Sequence, residues 1–216
     1  MQDVHPKAAA PDLAADLASM RALAEEGRDA PLVGGDFYML WGSIIGAASL
    51  AMFFAETGAI SFGRNGMFIL WIAAGLIGWA ATFLVGRRMG ARPGSLTVGN
   101  RTARAVWFAV GAFMTLIWIA MMVIHDNFTA LGVPRYFLFS MMFPIAFGLY
   151  GVAFYATAVA SRQTWLNGFA LLSWAFSVLC LFLLDSPYQF LASAAGSFSC
   201  AALPGLMMKL RESKAA

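Results

Sequence analysis

Six long apolar stretches run through the sequence, and their interiors contain no Asp, Glu, Lys, Arg or His. A helix of about 20 apolar residues is long enough to cross the hydrocarbon core of a bilayer. We therefore expect an all-α integral membrane protein with six transmembrane helices, in which residues 36–208 form the transmembrane domain. The predicted spans are residues 37–55, 67–86, 104–124, 136–160, 165–184 and 188–208.

The composition favours a chain surrounded by lipid. Hydrophobic residues make up 61% of the 216 residues and charged residues only 12%, whereas a soluble domain carries about 25% charged residues. The net charge of +3 does not indicate nucleic-acid binding, because the basic residues flank the apolar spans and form no stripe with interleaved aromatic residues. We therefore expect the lipid bilayer, and no nucleic acid, as the surroundings of this chain.

The loops predict how the spans are connected and oriented. They are short and rich in turn-forming residues, so consecutive spans should form three antiparallel hairpins. Of the 14 Lys and Arg residues, only Arg64 and Arg135 lie on the side opposite the termini. The positive-inside rule then places both termini, including the C-terminal tail of residues 209–216, in the cytoplasm. The Ala- and Gly-rich composition is typical of a bacterial protein, so the predicted location is the bacterial inner membrane.

The N-terminal tail, residues 1–35, is predicted to contain a short amphipathic helix at about residues 12–26. Asp12 is a suitable N-cap, and Gly27 ends the helix. The apolar side chains recur on one face of this helix at Leu13, Leu17, Met20 and Ala24. Three alternatives remain open for its position: the inner leaflet, the basic loop that carries Arg87, Arg88 and Arg92, or the helix of a protein partner.

A short pattern recurs in the second helix of each predicted hairpin. Residues 72–80 and 145–153 are identical at six of nine positions, and residues 193–201 repeat the pattern more weakly. In lipid, helices associate where small residues let their backbones approach. The candidate helix-packing residues are Gly42, Gly46, Gly75, Gly78, Gly148, Gly151 and Gly196. Packing within the chain and a homo-oligomer seam both account for them, and the Gly42/Gly46 face is the best suited to a seam between two copies.

The sequence indicates neither a catalytic site nor a metal or cofactor site. Ionisable groups inside a membrane mark proton relays and ion pathways, and the interiors of the predicted spans contain no Asp, Glu, Lys, Arg or His. His5 and His125 are the only histidines, and neither has a second ligand at metal-binding spacing. Because no nucleophile–base pair is present either, we expect a protein that is not an enzyme.

Three carboxylates are predicted at the outer ends of the first, third and fifth spans: Glu56, Asp126 and Asp185. If the hairpins surround a threefold axis, these groups would form a ring that attracts cations, and His125 beside Asp126 would add pH sensitivity. The alternative is that all three are ordinary helix ends facing water. Pro144, within the fourth span, should kink that helix because proline removes a backbone donor. The kink is a candidate hinge or simply a packing shape.

Two functions remain open on these observations. The first is a non-catalytic module that binds a partner, assists assembly or responds to envelope stress. It is favoured by the charge-free spans, the small-residue faces and the amphipathic tail. The second is a small transporter or channel for a neutral, apolar or lipid-like solute. It is favoured by the repeated hairpin, the Pro144 kink and the outer carboxylates, since repeats and broken helices are usual in transporters.

Overall fold

The computed structural model describes residues 15–18, 20, 31–63, 65–89, 95–133 and 137–215, and within these residues it contains helices and no strand. A one-turn helix, Phe137–Ser140, precedes the fourth long helix, and a π-helical turn, Phe198–Ala202, joins the last two helices. The helices are α1 (Gly35–Glu56), α2 (Gly66–Met89), α3 (Val98–Ala130), α4 (Met142–Ser161), α5 (Leu166–Phe182), α6 (Tyr188–Ser197) and α7 (Leu203–Ala215).

Five segments are long and apolar enough to cross a membrane: Gly35–Glu56, Gly66–Arg87, Val98–Ile124, Phe137–Ser161 and Tyr188–Ser213. The prediction of an all-α membrane protein is therefore confirmed. The remaining helix, α5, has 17 residues and is about 26 Å long, shorter than the predicted span 165–184. Its C-terminal end, on the side of the bundle that we call outer because it lies opposite the predicted side of the termini, is followed by a turn. In this turn Asp185 has a left-handed φ of 62°. A sixth crossing thus stays a prediction.

The last span, formed by α6, the π-helical turn and α7, packs antiparallel along the whole of α1. A Cβ atom at Gly42 would overlap the backbone nitrogen of Ala202, and one at Gly205 would lie 2.7 Å from the backbone nitrogen of Met39. Nearer the outer end, the hydroxyl groups of Ser49 and Ser193 form a buried hydrogen bond of 3.1 Å. This contact between first and last spans, which we call the α1 seam, depends on residues that lack large side chains.

The bundle contains two main helix pairs: α1 with the last span, and α4 with α5. The helix α2 packs on α1, and α3 packs on α4. Helices of one predicted hairpin contact each other, and the contacts between hairpins join α1 to the last span and α4 to α5. The third such pair, α2 and α3, is joined by a hydrogen bond of 3.3 Å from Trp79 Nε1 to Thr115 Oγ1. These contacts are unequal in extent, so the threefold arrangement on which the proposed ring of carboxylates depends stays a prediction.

Two clusters of buried side chains mark the ends of the bundle. The inner cluster, at the end where α1 begins, contains Leu32, Ala103, Phe154, Ala158, Leu166, Ala170 and Met208. The outer cluster contains Phe143, Phe147, Cys180 and Ala192. At the inner end, Lys209 Nζ lies 2.8 Å from Asp36 Oδ1, so the beginning of α1 and the middle of α7 lie side by side.

Candidate functional site

The three outer carboxylates are exposed but do not form a compact site. Glu56 is the last residue of α1, Asp126 lies within α3, and Asp185 lies in the turn after α5. The described part of the chain contains no group of three or more His, Cys, Asp or Glu residues that could hold a metal ion. The side chain of His125 lies outside the described residues. The carboxylates are thus not gathered into a metal site within the described residues, and the ring at the outer mouth stays a prediction.

The sequence suggested that Asp126 lies at the end of its helix, but the structure shows that the helix continues beyond it. The helix α3 continues through the polar residues 126 and 127 to Ala130. Hydropathy marks where a span leaves the lipid, whereas a helix in water continues as long as its backbone hydrogen bonds are satisfied. The same reasoning applies at the other end, where Thr97 caps the helix by accepting a hydrogen bond from the backbone nitrogen of Asn100.

Pro144 does not kink the middle of a helix; it lies in the first turn of α4. Proline is tolerated there because the first backbone N–H groups of a helix have no partner within it. The break falls instead at Met141, between the one-turn helix and α4. The fourth span is therefore interrupted at Met141, three residues before Pro144, rather than kinked at the proline itself.

The interruption is held by Gln189, a residue that the sequence analysis did not select. Because Pro144 has no N–H group, it cannot donate the usual helical hydrogen bond to the carbonyl of Ser140. Gln189 Nε2 donates to that carbonyl at 3.0 Å and also to the carbonyl of Cys180 at 2.9 Å. Its side chain is 1% exposed. We call this arrangement the Gln189 bridge; it joins the beginning of the last span to the one-turn helix before α4 and to the end of α5.

A signal for this bridge was present in the sequence. A proline within an apolar span leaves the carbonyl four residues earlier without its usual donor, and such a carbonyl in lipid needs another partner. Ser140 is four residues before Pro144, and Gln189 is the uncharged amide side chain at the outer end of the last span. The sequence alone does not show that the two elements are neighbours.

Most of the predicted packing glycines lie at contacts between helices of the same chain. Gly42 faces the π-helical turn, and Gly46 is covered by the ring of Phe198. These two residues therefore face the last span of their own chain, which corrects the expectation of a seam between two copies. The physical reason is that the π-helical turn and small neighbouring residues allow the last span to approach α1 more closely than a large side chain would permit.

The repeated pattern places glycines against aromatic rings, but on different neighbours. A Cβ atom at Gly78 would meet the ring of Trp41 on α1, whereas one at Gly151 would meet Trp174 on α5. Gly196, the third equivalent of the first repeated glycine, lies against Phe147.

The first glycine of each pattern differs further. A Cβ atom at Gly148 would lie at ordinary contact distance, 3.4 Å, from Ser177 Oγ, while one at Gly75 would meet no described atom within 4 Å. The repeated pattern therefore gives a similar kind of glycine packing against different, not symmetric, neighbours. No described atom fills the space beside Gly75.

Much of the predicted tail site lies outside the described residues, including Leu13 and Arg92. Leu17 and Met20 are helical and exposed. Arg87 is exposed, with its guanidinium group 4.4 Å from the centre of the Phe83 ring; the side chain of Arg88 is not described. The helix predicted at about residues 12–26 thus stays a prediction beyond this short helical part.

The helices α2 and α3 are the least covered of the long spans. Only 11% of the apolar window of each is buried, against 50% for the last span. On α2, Ile69, Leu76 and Phe83 are 63%, 67% and 62% exposed, and they recur at spacings that place them on one side of the helix. We call this surface, with Gly75 at its edge about 100° round the helix from Leu76, the α2 face.

Comparison with protein-family models, curated proteins and solved structures finds no match for this chain.

Proposed function

We propose that the protein is a non-catalytic multi-pass module of a bacterial inner membrane, and that it assembles with a partner through the α2 face. The observation that carries this proposal is the exposed apolar strip of Ile69, Leu76 and Phe83, with Gly75 at its edge, where a Cβ atom would meet nothing within 4 Å. Small residues are where membrane helices approach each other. The other glycines of the repeated pattern contact the chain's own helices, so Gly75 remains for a partner.

Several features support the finer parts of the proposal. The helix α5 begins at Leu166 in the inner cluster and reaches Cys180 in the outer cluster, which supports a sixth crossing. The contact between Asp36 and Lys209 supports two termini on the same side, and the excess of Lys and Arg there supports the cytoplasm. The exposed Leu17 and Met20 offer a second surface for a partner. The charge-free spans support a role without catalysis.

Replacing Gly75 by leucine is expected to remove the protein from a larger membrane assembly. The new side chain would prevent a partner helix from approaching the α2 face, while open space around Gly75 leaves the chain itself unaffected. The measurement is the native electrophoretic size of the protein in mild-detergent extracts of its own membranes. We expect the wild type to migrate in an assembly and the variant to migrate at the size of the chain alone.

The matched control is Gly168→Leu, because Gly168 lies on α5 and a Cβ atom there would also meet nothing within 4 Å. This variant should stay in the assembly. A wild-type protein that already migrates alone would contradict the proposal, as would an unchanged size for Gly75→Leu. Co-purification of two differently tagged copies distinguishes a homo-oligomer from a different partner.

A second candidate function is the transport of a neutral, apolar or lipid-like solute. It is favoured by two irregular backbone segments, the break at Met141 and the π-helical turn at Phe198–Ala202. They lie in neighbouring spans, since Gly196 contacts Phe147 of α4. Interrupted helices of this kind are common in transporters, and π-helical turns are frequent at functional sites.

If this second function holds, proteoliposomes should move a fluorescent phospholipid between leaflets, or take up glycerol, faster than protein-free liposomes of the same composition. Pro144→Ala, which lets residue 144 donate a helical hydrogen bond, should slow that movement because it favours a continuous helix. Rates equal to those of protein-free liposomes for both solutes would speak against transport and leave the assembly module as the function.

A further inference from the structure

The cytoplasmic end of α3 carries an exposed surface that is half basic and half apolar. Val98, Arg101, Ala105 and Phe108 recur at helical spacing on one side, with Thr102 and Arg104 beside them. These six residues line an open concavity of about 760 Å³. Val98 and Phe108 are 71% and 66% exposed. We call this surface the α3 inner face.

The two arginines on this face have no ion-pair partner within the part of the chain that the structure describes. The ion pair described at this end of the bundle joins Lys209 to Asp36, so no carboxylate of the described residues neutralises these two guanidinium groups. Side chains in a helix lean toward its N-terminus. Since α3 begins at the inner end, Arg101 and Arg104 lean out of the hydrocarbon region toward the level of the lipid phosphates.

The apolar part of the face continues in the opposite direction. Phe108 lies seven residues after Arg101, which places it about 10 Å deeper along the helix axis. Ala105 between them has a small side chain and leaves room above the helix. A molecule that fits both parts has an anionic head and an apolar tail joined in the same orientation as in a membrane lipid. Basic residues at the cytoplasmic end of membrane helices bind such headgroups.

The beginning of α3 is also held rigidly, so the face is formed before any lipid arrives. The buried side chain of Asn100 donates from Nδ2 to the carbonyl of Pro31 at 3.0 Å and accepts the N–H of Val33 at 2.7 Å. A Cβ atom at Gly99 would lie 2.9 Å from the Cα and Cβ atoms of Ser161, so α3 lies directly on the end of α4. A preformed surface binds with less loss of conformational entropy.

We propose that the α3 inner face is a binding site for an anionic phospholipid of the cytoplasmic leaflet, with the phosphate between Arg101 and Arg104 and an acyl chain along Ala105 and Phe108. The site does not depend on the partner proposed for the α2 face, which lies on a different helix. It also differs from general attraction of a basic surface, because it requires these two arginines and the apolar strip beside them.

The test is native mass spectrometry of the full-length protein in mild detergent with added phosphatidylglycerol or phosphatidylcholine. We expect phosphatidylglycerol to bind about 30-fold more tightly, from about fivefold for each arginine. The variant Arg101→Gln/Arg104→Gln should lose this preference and bind both lipids equally. Both arginines are exposed, so the variant should keep the size-exclusion profile and helical circular dichroism of the wild type.

The matched control is Arg87→Gln/Arg162→Gln, which removes the same charge from other exposed positions. It should keep the preference for phosphatidylglycerol. Equal loss in both double variants would overturn the proposal in favour of general electrostatics, and a wild type without preference would overturn it outright. A variant without residues 1–30 should bind as the wild type does; a large gain in affinity would mean that the acidic tail occupies the face instead.

Discussion

Replacing Gly42 by leucine is expected to prevent α1 from packing on the last span and to lower the free energy of unfolding by about 3 kcal/mol or more. Even the Cβ atom of a new side chain would overlap the backbone nitrogen of Ala202 and lie 2.9 Å from the carbonyl oxygen of Ser197. Backbone atoms cannot rotate away as a side chain can. The two spans would have to separate along the α1 seam, which would also break the buried hydrogen bond between Ser49 and Ser193.

The measurement is thermal unfolding of the purified protein in mild detergent, followed as the fraction that stays monodisperse after heating. Gly75→Leu serves as the matched control, because the same substitution there meets open space. We expect a large fall in the midpoint for Gly42→Leu and almost none for Gly75→Leu. Equal midpoints for the two variants would mean that Gly42 does not lie at a close contact between helices.

Gly46 gives a graded comparison within the same seam. A Cβ atom there would lie 2.7 to 2.9 Å from atoms of the Phe198 ring, and this ring is 38% exposed. Since a partly exposed side chain can move, Gly46→Ala should cost less stability than Gly42→Ala. The comparison separates contact with the backbone from contact with a side chain at two positions one helical turn apart.

The sequence could predict the membrane class and the approximate position of the spans, because an apolar run of sufficient length has few alternatives in lipid. It could not predict which spans would pair. Small residues are present in the first, second, fourth and sixth spans, and each offers a close approach to any neighbour. The pairing of α1 with the last span depends on the π-helical turn at Phe198–Ala202, for which the sequence has no reliable signal.

The same holds for the candidate sites: features that depend on local hydropathy could be predicted, and features that depend on long-range packing could not. Glu56, Asp126 and Asp185 were expected at the outer ends of spans, since charged residues stay out of the hydrocarbon region, but α3 continues beyond Asp126 to Ala130. Their proposed ring required a threefold arrangement of hairpins, which depends on long-range packing. Pro144 was expected to kink the fourth span, but the break lies at Met141, and the hydrogen bonds that Gln189 donates there depend on the position of the last span.

Replacing Gln189 by leucine is expected to lower the free energy of unfolding by about 2 kcal/mol, since interhelical hydrogen bonds in membranes contribute about 1 kcal/mol each and an unsatisfied buried group costs about 1–3 kcal/mol. The new side chain is similar in size but leaves the carbonyl groups of Ser140 and Cys180 without the two bonds of the Gln189 bridge. Gln163→Leu is the control, because Gln163 is only partly buried and accepts one hydrogen bond, from Trp165.

A double-mutant cycle with Pro144→Ala tests the cause of this loss. Alanine at position 144 supplies an N–H group that can donate to the Ser140 carbonyl along the helix, so one of the two unsatisfied groups regains a partner. The pair Gln189→Leu/Pro144→Ala should therefore be more stable than the sum of the single effects predicts, by about 1 kcal/mol. Strict additivity, measured by the same thermal unfolding, would show that Gln189 does not replace the donor that Pro144 removes. A positive coupling would mean that the interruption in the fourth span and the polar residue in the last span act as a single unit, because neither is tolerated in an apolar interior without the other.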